Sequence, residues 1–337
     1  MDPITQGAFG ALWAGIAAAV DRERRHTDKP SRGLALGLGA LSGMASDLDV
    51  LISSKSDPLL ALEYHRHFTH SLIFIPIGAL ICALVFWPLF KKRFASFRQM
   101  YLICFAGFAS HGLLDAFTSY GTQLLWPFSN YRVAWDSMPI VDPLFTLPLI
   151  GFLLWKSRRS IAVATLFTVL YLGFGFVQRN RAIDAVLGLA QSRGHGRALR
   201  IQAKPSFGNL LVYRGLYEYG GRYYADAVRI SPLGAVKYYP GDSLPKASAE
   251  TFAIIFDTKL YRDIERFSWF SDDFLAVDPR DANVLGDFRY SMLPNTVDPM
   301  WGIRVDLVRA DEHAEFVTMR SLGDRSFGKL WEMILGR

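Results

Sequence analysis

The sequence predicts a mainly α-helical membrane bundle of about six spans, some of them re-entrant, followed by a soluble α+β domain. Three observations carry that prediction. Ser71–Phe90, "SLIFIPIGALICALVFWPLF", is uncharged over 20 residues, and Ser160–Gln178, "SIAVATLFTVLYLGFGFVQ", over 19. At ~1.5 Å per residue, either can cross a hydrocarbon core ~30 Å thick. Apolar residues make up 51% of the 337-residue chain, and the long apolar runs all precede residue 179. Beyond that point the sequence reads as an ordinary globular domain.

The remaining spans are expected at Pro3–Val20, Gly33–Leu51, Met100–Phe117 and Pro139–Trp155. Several contain or end in polar groups, and the second and fourth spans in chain order are short or polar enough to be re-entrant. Gly33, Gly37, Gly39 and Gly43 form two small-xxx-small pairs suited to close helix packing in lipid. Loop charge orients the bundle. With the N-terminus outside, the loops at 21–32, 91–98 and 156–159 face the cytoplasm and hold five, four and three Lys or Arg residues. The opposite loops hold only Lys55, Arg66 and Arg132. That asymmetry follows the positive-inside bias and exports everything after Gln178. The expected location is therefore the bacterial inner (cytoplasmic) membrane, multi-pass, with the C-terminal domain on the periplasmic side.

The expected organisation is a membrane domain over 1–178, an arginine-rich linker over 179–200 and a soluble domain over 201–337. In the last of these, "LLVYRGLYEYGGRYYADAVRI" alternates around Gly220–Gly221 and predicts a hairpin. "DTKLYRDIERFSWF" has helical spacing, and "VLGDFRY" and "WGIRVDLV" predict further strands. The net charge of +6 comes largely from short loops between apolar runs, so membrane lipid rather than nucleic acid is the expected partner. Cys82 and Cys104 both fall in apolar stretches, which excludes a cysteine-based zinc site or a disulfide framework. "MDPITQGAFG" lacks the basic stretch of a cleavable signal peptide.

The metal-capable residues within or beside the spans are Asp2, Asp47, Asp49, His65, His67, His70, His111, Asp115 and Asp142. Ionisable groups at membrane depth are costly, so each needs a partner or a ligand. The topology, set by loop cations alone, places all of them toward one face. In "HGLLD", His111 and Asp115 are i and i+4, which suits two metal ligands or an imidazole steadied by a carboxylate. "SDLD" offers Asp47 and Asp49 at a helix end, where solvation alone would also explain them. "HRHFTH" offers His65 and His70, with Arg66 able to hold a phosphate; a basic interfacial collar is the alternative. Together, imidazoles and carboxylates on one face favour a divalent metal, zinc first, with manganese or iron also suited. Asp2 and Asp142 each precede proline and also fit helix starts.

"MDPITQGAFGA", "SGMASDLDVLI", "YHRHFTHSL", "SHGLLDAFTSYGTQLLWPFS" and "DPLFTLPL", in that order, resemble the membrane-bound metal-dependent hydrolase family, bacterial inner-membrane proteins with one SOS-associated branch. The resemblance covers roughly residues 1–155. It implies metal-site roles for Asp47, Asp49, His65, His70, His111 and Asp115, with Arg66, Thr69 and Ser71 beside them. His67 stands where the family commonly has glycine and is a spectator. Many members carry His where this chain has Gln6, so the site has one ligand fewer or uses Asp2. The resulting expectation is a metal-dependent hydrolase whose water attacks a phosphoester of a lipid or lipid carrier. Asp47 or Asp49 would act as general base, and Arg66, Thr69 and Ser71 would meet the substrate. A non-catalytic scaffold with a structural metal, or a metal- or proton-coupled transporter, is the alternative. Ligands gathered at one face count against transport.

Overall fold

The computed structural model describes the whole chain apart from residues 26–29, 156, 158, 233 and 321–323. Lys29, Lys156 and Arg158, three of the cations counted above, therefore lie outside the described residues. The chain forms two compact units, Met1–Leu51 with Tyr64–Phe176, and Ile52–Glu63 with Val177–Arg337.

The first unit is helical. Helix α1 (Pro3–Arg25) starts where the Asp2 carboxylate accepts the Thr5 N–H at 3.0 Å. Helix α2 (Arg32–Met44) runs on into a 3₁₀ turn over Ala45–Leu51. A short helix α3 (Leu60–Tyr64) and a 3₁₀ turn at Phe68–His70 precede α4 (Ile75–Phe90), which has proline in its first turn. Helix α5 (Phe97–Ala116) is capped by Ser96, whose hydroxyl accepts the Gln99 N–H. Helix α6 (Pro143–Leu154) is capped by Asp142, and α7 (Ser160–Ser192) follows.

Glycine sets the spacing of α1, α2 and α5. A Cβ added at Gly10 would stand 2.5 Å from the Gly39 carbonyl oxygen, and one at Gly107 would stand 2.5 Å from that same oxygen. Gly43 abuts Gly10 and Gly107. Of the glycines singled out in the sequence, Gly39 and Gly43 are in this contact, whereas Gly33 and Gly37 face open space. Leu80, Leu84, Val85 and Leu89 on α4, and Leu166, Val169 and Leu170 on α7, stay exposed, as lipid-facing side chains do.

Among the described residues, four stretches are long and apolar enough to cross a membrane: Pro3–Arg24, Arg32–Leu51, Ile75–Arg93 and Ser160–Ser192. Six spans were expected. Helix α5 has 20 residues, but Arg98 and Gln99 at its start and His111 and Asp115 near its end lower its hydropathy, and α6 has only 12. The latter is short because Asp142 starts it three residues after Pro139 and it ends before Trp155.

The second unit is α+β. Strands β1 (Leu199–Pro205), β2 (Val212–Tyr219), β3 (Arg222–Ile230) and β4 (Val236–Pro245) form one antiparallel sheet in sequence order. The expected β2–β3 hairpin turns on Gly220 and Gly221, both at positive φ, with Tyr219 paired to Arg222. Helix α8 (Lys259–Phe270) separates this sheet in sequence from a second one, made of β5 (Leu275–Asp278), β6 (Asp281–Asp287), β7 (Trp301–Arg304) and β8 (Glu315–Thr318). Helix α9 (Asp324–Leu335) follows.

The expected linker at 179–200 is largely helical instead. Helix α7 continues to Ser192 because Ala182, Ala185, Val186 and Ala190 recur at helical spacing and bury against Tyr213, Tyr217 and Val228 of the first sheet. The arginines of this stretch are used in structure: Arg193 pairs with Asp226 at 2.6 Å.

Candidate metal centre

The 3₁₀ turn after α2 decides what Asp47 and Asp49 do. With three residues per turn, side chains two apart point about 120° away from each other. Asp47 turns toward α5 and lies 3.2 Å from His111 Nε2 and 3.5 Å from His70 Nε2. Asp49 turns toward the Tyr64–His70 segment, where it is surrounded. It meets His65 Nδ1 at 2.9 Å and His70 Nδ1 at 3.2 Å, and it accepts the Arg66 N–H at 2.9 Å and the Thr69 hydroxyl at 3.0 Å. That segment can wrap around one carboxylate because Arg66 adopts a positive φ of 64°.

Helix α5 supplies the other half. His111 and Asp115 lie one turn apart, and the Asp115 Oδ2 atom is 3.3 Å from His70 Nε2 and 3.6 Å from His111 Nε2. The Asp47, His70, His111 and Asp115 donor atoms thus lie within 4.8 Å of one another. Four of the six donor–donor separations, 3.2, 3.3, 3.5 and 3.6 Å, can be compared with metal geometry. A tetrahedron with ~2.05 Å bonds has edges of about 3.3 Å. His70 Nε2 and Asp115 Oδ2 are buried and make no hydrogen bond of acceptable geometry. The residues present therefore fit a four-coordinate cation.

Both imidazoles are turned the right way. His111 Nδ1 makes a short hydrogen bond to the Gly43 carbonyl, and His70 Nδ1 is held by Asp49 and by the Thr69 hydroxyl at 2.9 Å. Each ring is left with Nε2 facing the cluster, the arrangement seen where a carboxylate or carbonyl orients a metal-binding histidine. Burial alone would lower the His70 pKa. The carboxylates of Asp115, Asp47 and Asp49 outweigh it and hold the imidazole up to about 10. This spot calls for positive charge.

Around the cluster, the second Asp115 oxygen takes the Met1 amino group at 2.6 Å and the Gln6 amide at 2.8 Å. Gln6, where a histidine was in question, thus contacts a cluster carboxylate. Arg66 is buried, with Nε 3.1 Å from Asp115, Nη1 donating to Thr118 at 2.8 Å and its guanidinium over the Tyr120 ring. Asp47 and His65 are the exposed members, each with a side chain 25% accessible, while His70, His111, Asp49 and Asp115 are at 0%. Asp47, Asp49 and His65 also form a second, overlapping trio of possible ligands.

Three expected residues stand apart. Ser71 donates its hydroxyl to the Phe68 carbonyl, Asp2 caps α1, and Asp142 caps α6 and accepts the Tyr171 hydroxyl at 2.7 Å. His67 packs among the rings of Tyr64, Phe68 and Trp126. Four participants escaped the sequence reading. Met1, Thr118 and Tyr120 were not singled out, and Gly43 was marked only for packing although its carbonyl orients His111.

A further histidine–aspartate group, Asp57, Asp263 and His313, lies in the second unit. Arg266 already fills it, meeting Asp57 at 3.0 Å, Asp263 at 2.9 Å and Glu63 at 2.8 Å. It is an ion-pair network.

A family described as YdjM inner membrane protein matches residues 1–182. The Bacillus subtilis (strain 168) relative named "Uncharacterized protein YfhP" is 26% identical over 168 residues, which are 49% of this chain and 50% of that protein. The Escherichia coli (strain K12) "Inner membrane protein YbcI" is 32% identical over 96 residues, 28% of this chain and 54% of that protein. The chain spans about half the length of the curated relatives it matches. No solved structure matches it.

Proposed function

The chain belongs to the YdjM inner membrane protein family, and on that premise we propose that it is a membrane-embedded, metal-dependent hydrolase of phosphoesters. The observation that supports this reading is the convergence of two Nε2 atoms and two carboxylate oxygens within 4.8 Å of one another, with both Nδ1 atoms already held. His70, His111, Asp115 and Asp47 would hold a divalent cation, zinc before manganese or iron. When bound, it supplies Lewis acidity and lowers the pKa of water toward ~7.

The protein's own groups supply the rest. Asp47 is the one cluster carboxylate with a partly accessible side chain; with Oδ1 turned to the histidines, its Oδ2 would be the oxygen to accept a proton from incoming water. Asp49 fixes His65, His70, Thr69 and the backbone of Arg66, and is a positioning residue. Arg66 brings a fixed positive charge beside Asp115, suited to negative charge developing on a phosphoryl oxygen. Leu48, Val50 and Leu51, which follow Asp47 in the chain, are exposed and leave apolar surface in the same turn. That surface supports a lipid or lipid-carrier substrate. Loop charge supports an outward-facing site and an exported C-terminal unit.

One observation favours a second reading. Four protein donors match a closed structural zinc site, which would make the centre a clamp within a scaffold. The test is metal content of the detergent-purified protein beside His70→Ala and His111→Ala, followed by turnover of lipid phosphoesters with Asp47→Asn. Near-stoichiometric metal, lost in both histidine variants, with hydrolysis lost in Asp47→Asn, supports the hydrolase. Metal without turnover on any lipid phosphoester leaves the clamp. No metal even after reloading with zinc, manganese and iron overturns both.

A further inference from the structure

Helix α9 carries more apolar surface than its own unit covers. At 3.6 residues per turn, Leu330, Met333 and Ile334 span an arc of about 100°, and Phe327, Trp331 and Leu335 an adjoining arc of about 80°. The first arc packs on Val212, Leu211, Ala227 and Tyr239. The second lies open: Phe327 is 47% exposed, Trp331 60% and Leu335 47%. Phe207, 54% exposed, extends this stripe, with its ring 6.0 Å from that of Phe327. Lys329 and Glu332 occupy the opposite side of the helix.

The uncharged run of α7 ends in the same unit. The 19 uncharged residues Ser160–Gln178 are about 28 Å long as helix, one hydrocarbon core, and Arg179 and Arg181 come next. Gln178 Nε2 donates to the Leu210 and Ile230 carbonyls at 3.1 Å each, and Arg181 donates to the Ser231 carbonyl at 3.0 Å. The turn between β1 and β2, which carries Phe207, is thereby tied to the residue at the edge of the hydrocarbon. Leu211, next to the carbonyl that Gln178 holds, packs against α9.

From these contacts we infer that Phe207, Phe327, Trp331 and Leu335 form a membrane-interface anchor, inserted at headgroup depth into the bilayer that α7 crosses. Tryptophan and phenylalanine on an amphipathic helix are the residues expected at that depth. Lys237, whose ammonium reaches the Gly336 carbonyl at 3.0 Å, adds a cation at the end of α9 for lipid phosphate.

The experiment uses the full chain, with Cys82 and Cys104 replaced by alanine, in vesicles of phosphatidylglycerol and phosphatidylcholine. Nitroxide labels are placed singly at Phe207→Cys, Phe327→Cys, Trp331→Cys and Leu335→Cys. Leu166→Cys serves as the lipid-facing control and Glu312→Cys as the water-facing one. The expected result is a ratio of oxygen to nickel-chelate collisions several-fold above that at 312 and approaching that at 166. In a Phe327→Gln, Trp331→Gln background, the ratio at 335 should fall toward the value at 312. Ratios equal to that at 312 in the unsubstituted background overturn the anchor. So does shielding from both reagents, which would mean a protein surface, with dipolar broadening between labels identifying a second copy of this chain.

Discussion

Asp49 lies outside the four clustered donors, yet in the proposed metal centre it would position several of them. Its two oxygens steady His65, His70, Thr69 and the Arg66 backbone at once. Asp49→Asn should therefore keep the metal stoichiometry while weakening affinity by roughly 10–100-fold, the usual cost of losing such a partner. Competition with a chromophoric chelator measures it, and unchanged affinity would contradict the role. The sequence could point to Asp47 and Asp49 but could not divide their labour. That division depends on the turn being 3₁₀, and "SDLD" carries no signature of it. His111 and Asp115 were legible because i, i+4 spacing on a helix fixes their relation in advance. Ser71 shows a related limit: its local use, a hydroxyl donated to the Phe68 carbonyl after the Phe68–His70 turn, is not written in the motif.

At the level of elements, close approach of α1, α2 and α5 keeps the Gly43 carbonyl against His111. Gly107→Ala would drive a methyl into the Gly39 backbone, so a loss of about 1–3 kcal/mol is expected, as for overpacking elsewhere. Gly37→Ala meets open space and should change thermal stability little. Paired melting curves in detergent, with metal content measured on the same samples, check both. A Gly107→Ala protein as stable and as metal-rich as Gly37→Ala would refute the spacing argument. The glycine repeat was visible in the sequence, but which pair packs was not. Gly33–Gly37 and Gly39–Gly43 have the same pattern, and only the partner helices distinguish them. The helical end of α7 was hidden differently, because the alanines that bury it are interleaved with arginines whose partners lie on distant strands.

Across the whole molecule, the two units differ in what they leave exposed. The first leaves apolar side chains on α4 and α7 open, as suits an inner membrane protein. The second is an α+β fold whose residues 52–63 are tied to α8 through Arg266. Burial would raise the Asp57 pKa, but the Arg266 guanidinium outweighs it and holds the carboxyl below its usual range. A depressed carboxyl contributes stability above its unfolded pKa of ~3.9, and that contribution is lost as pH falls through the folded value. The wild-type chain should therefore lose melting temperature as pH drops below ~4. In Arg266→Met, Asp57, Glu63 and Asp263 are left facing one another, and acid relieves their repulsion. Its acid slope should be shallower or reversed, and parallel slopes would show that the network has no such role. Fold class was legible at this scale because hydropathy separates the long apolar helices from the α+β unit. The number of spans was not, since α5 is as long as a span while carrying half of the site.

The four clustered donors also have a position in time. Asp47 and His70 are synthesised first, while His111 and Asp115 follow some forty residues later on α5. A nascent chain halted before α5 is inserted holds one imidazole and one carboxylate of the set, too few to retain a cation against cellular chelators. Metal acquisition by the proposed centre would then be a late event in biogenesis. Cells starved of the metal should accumulate fully inserted but apo protein rather than stalled fragments.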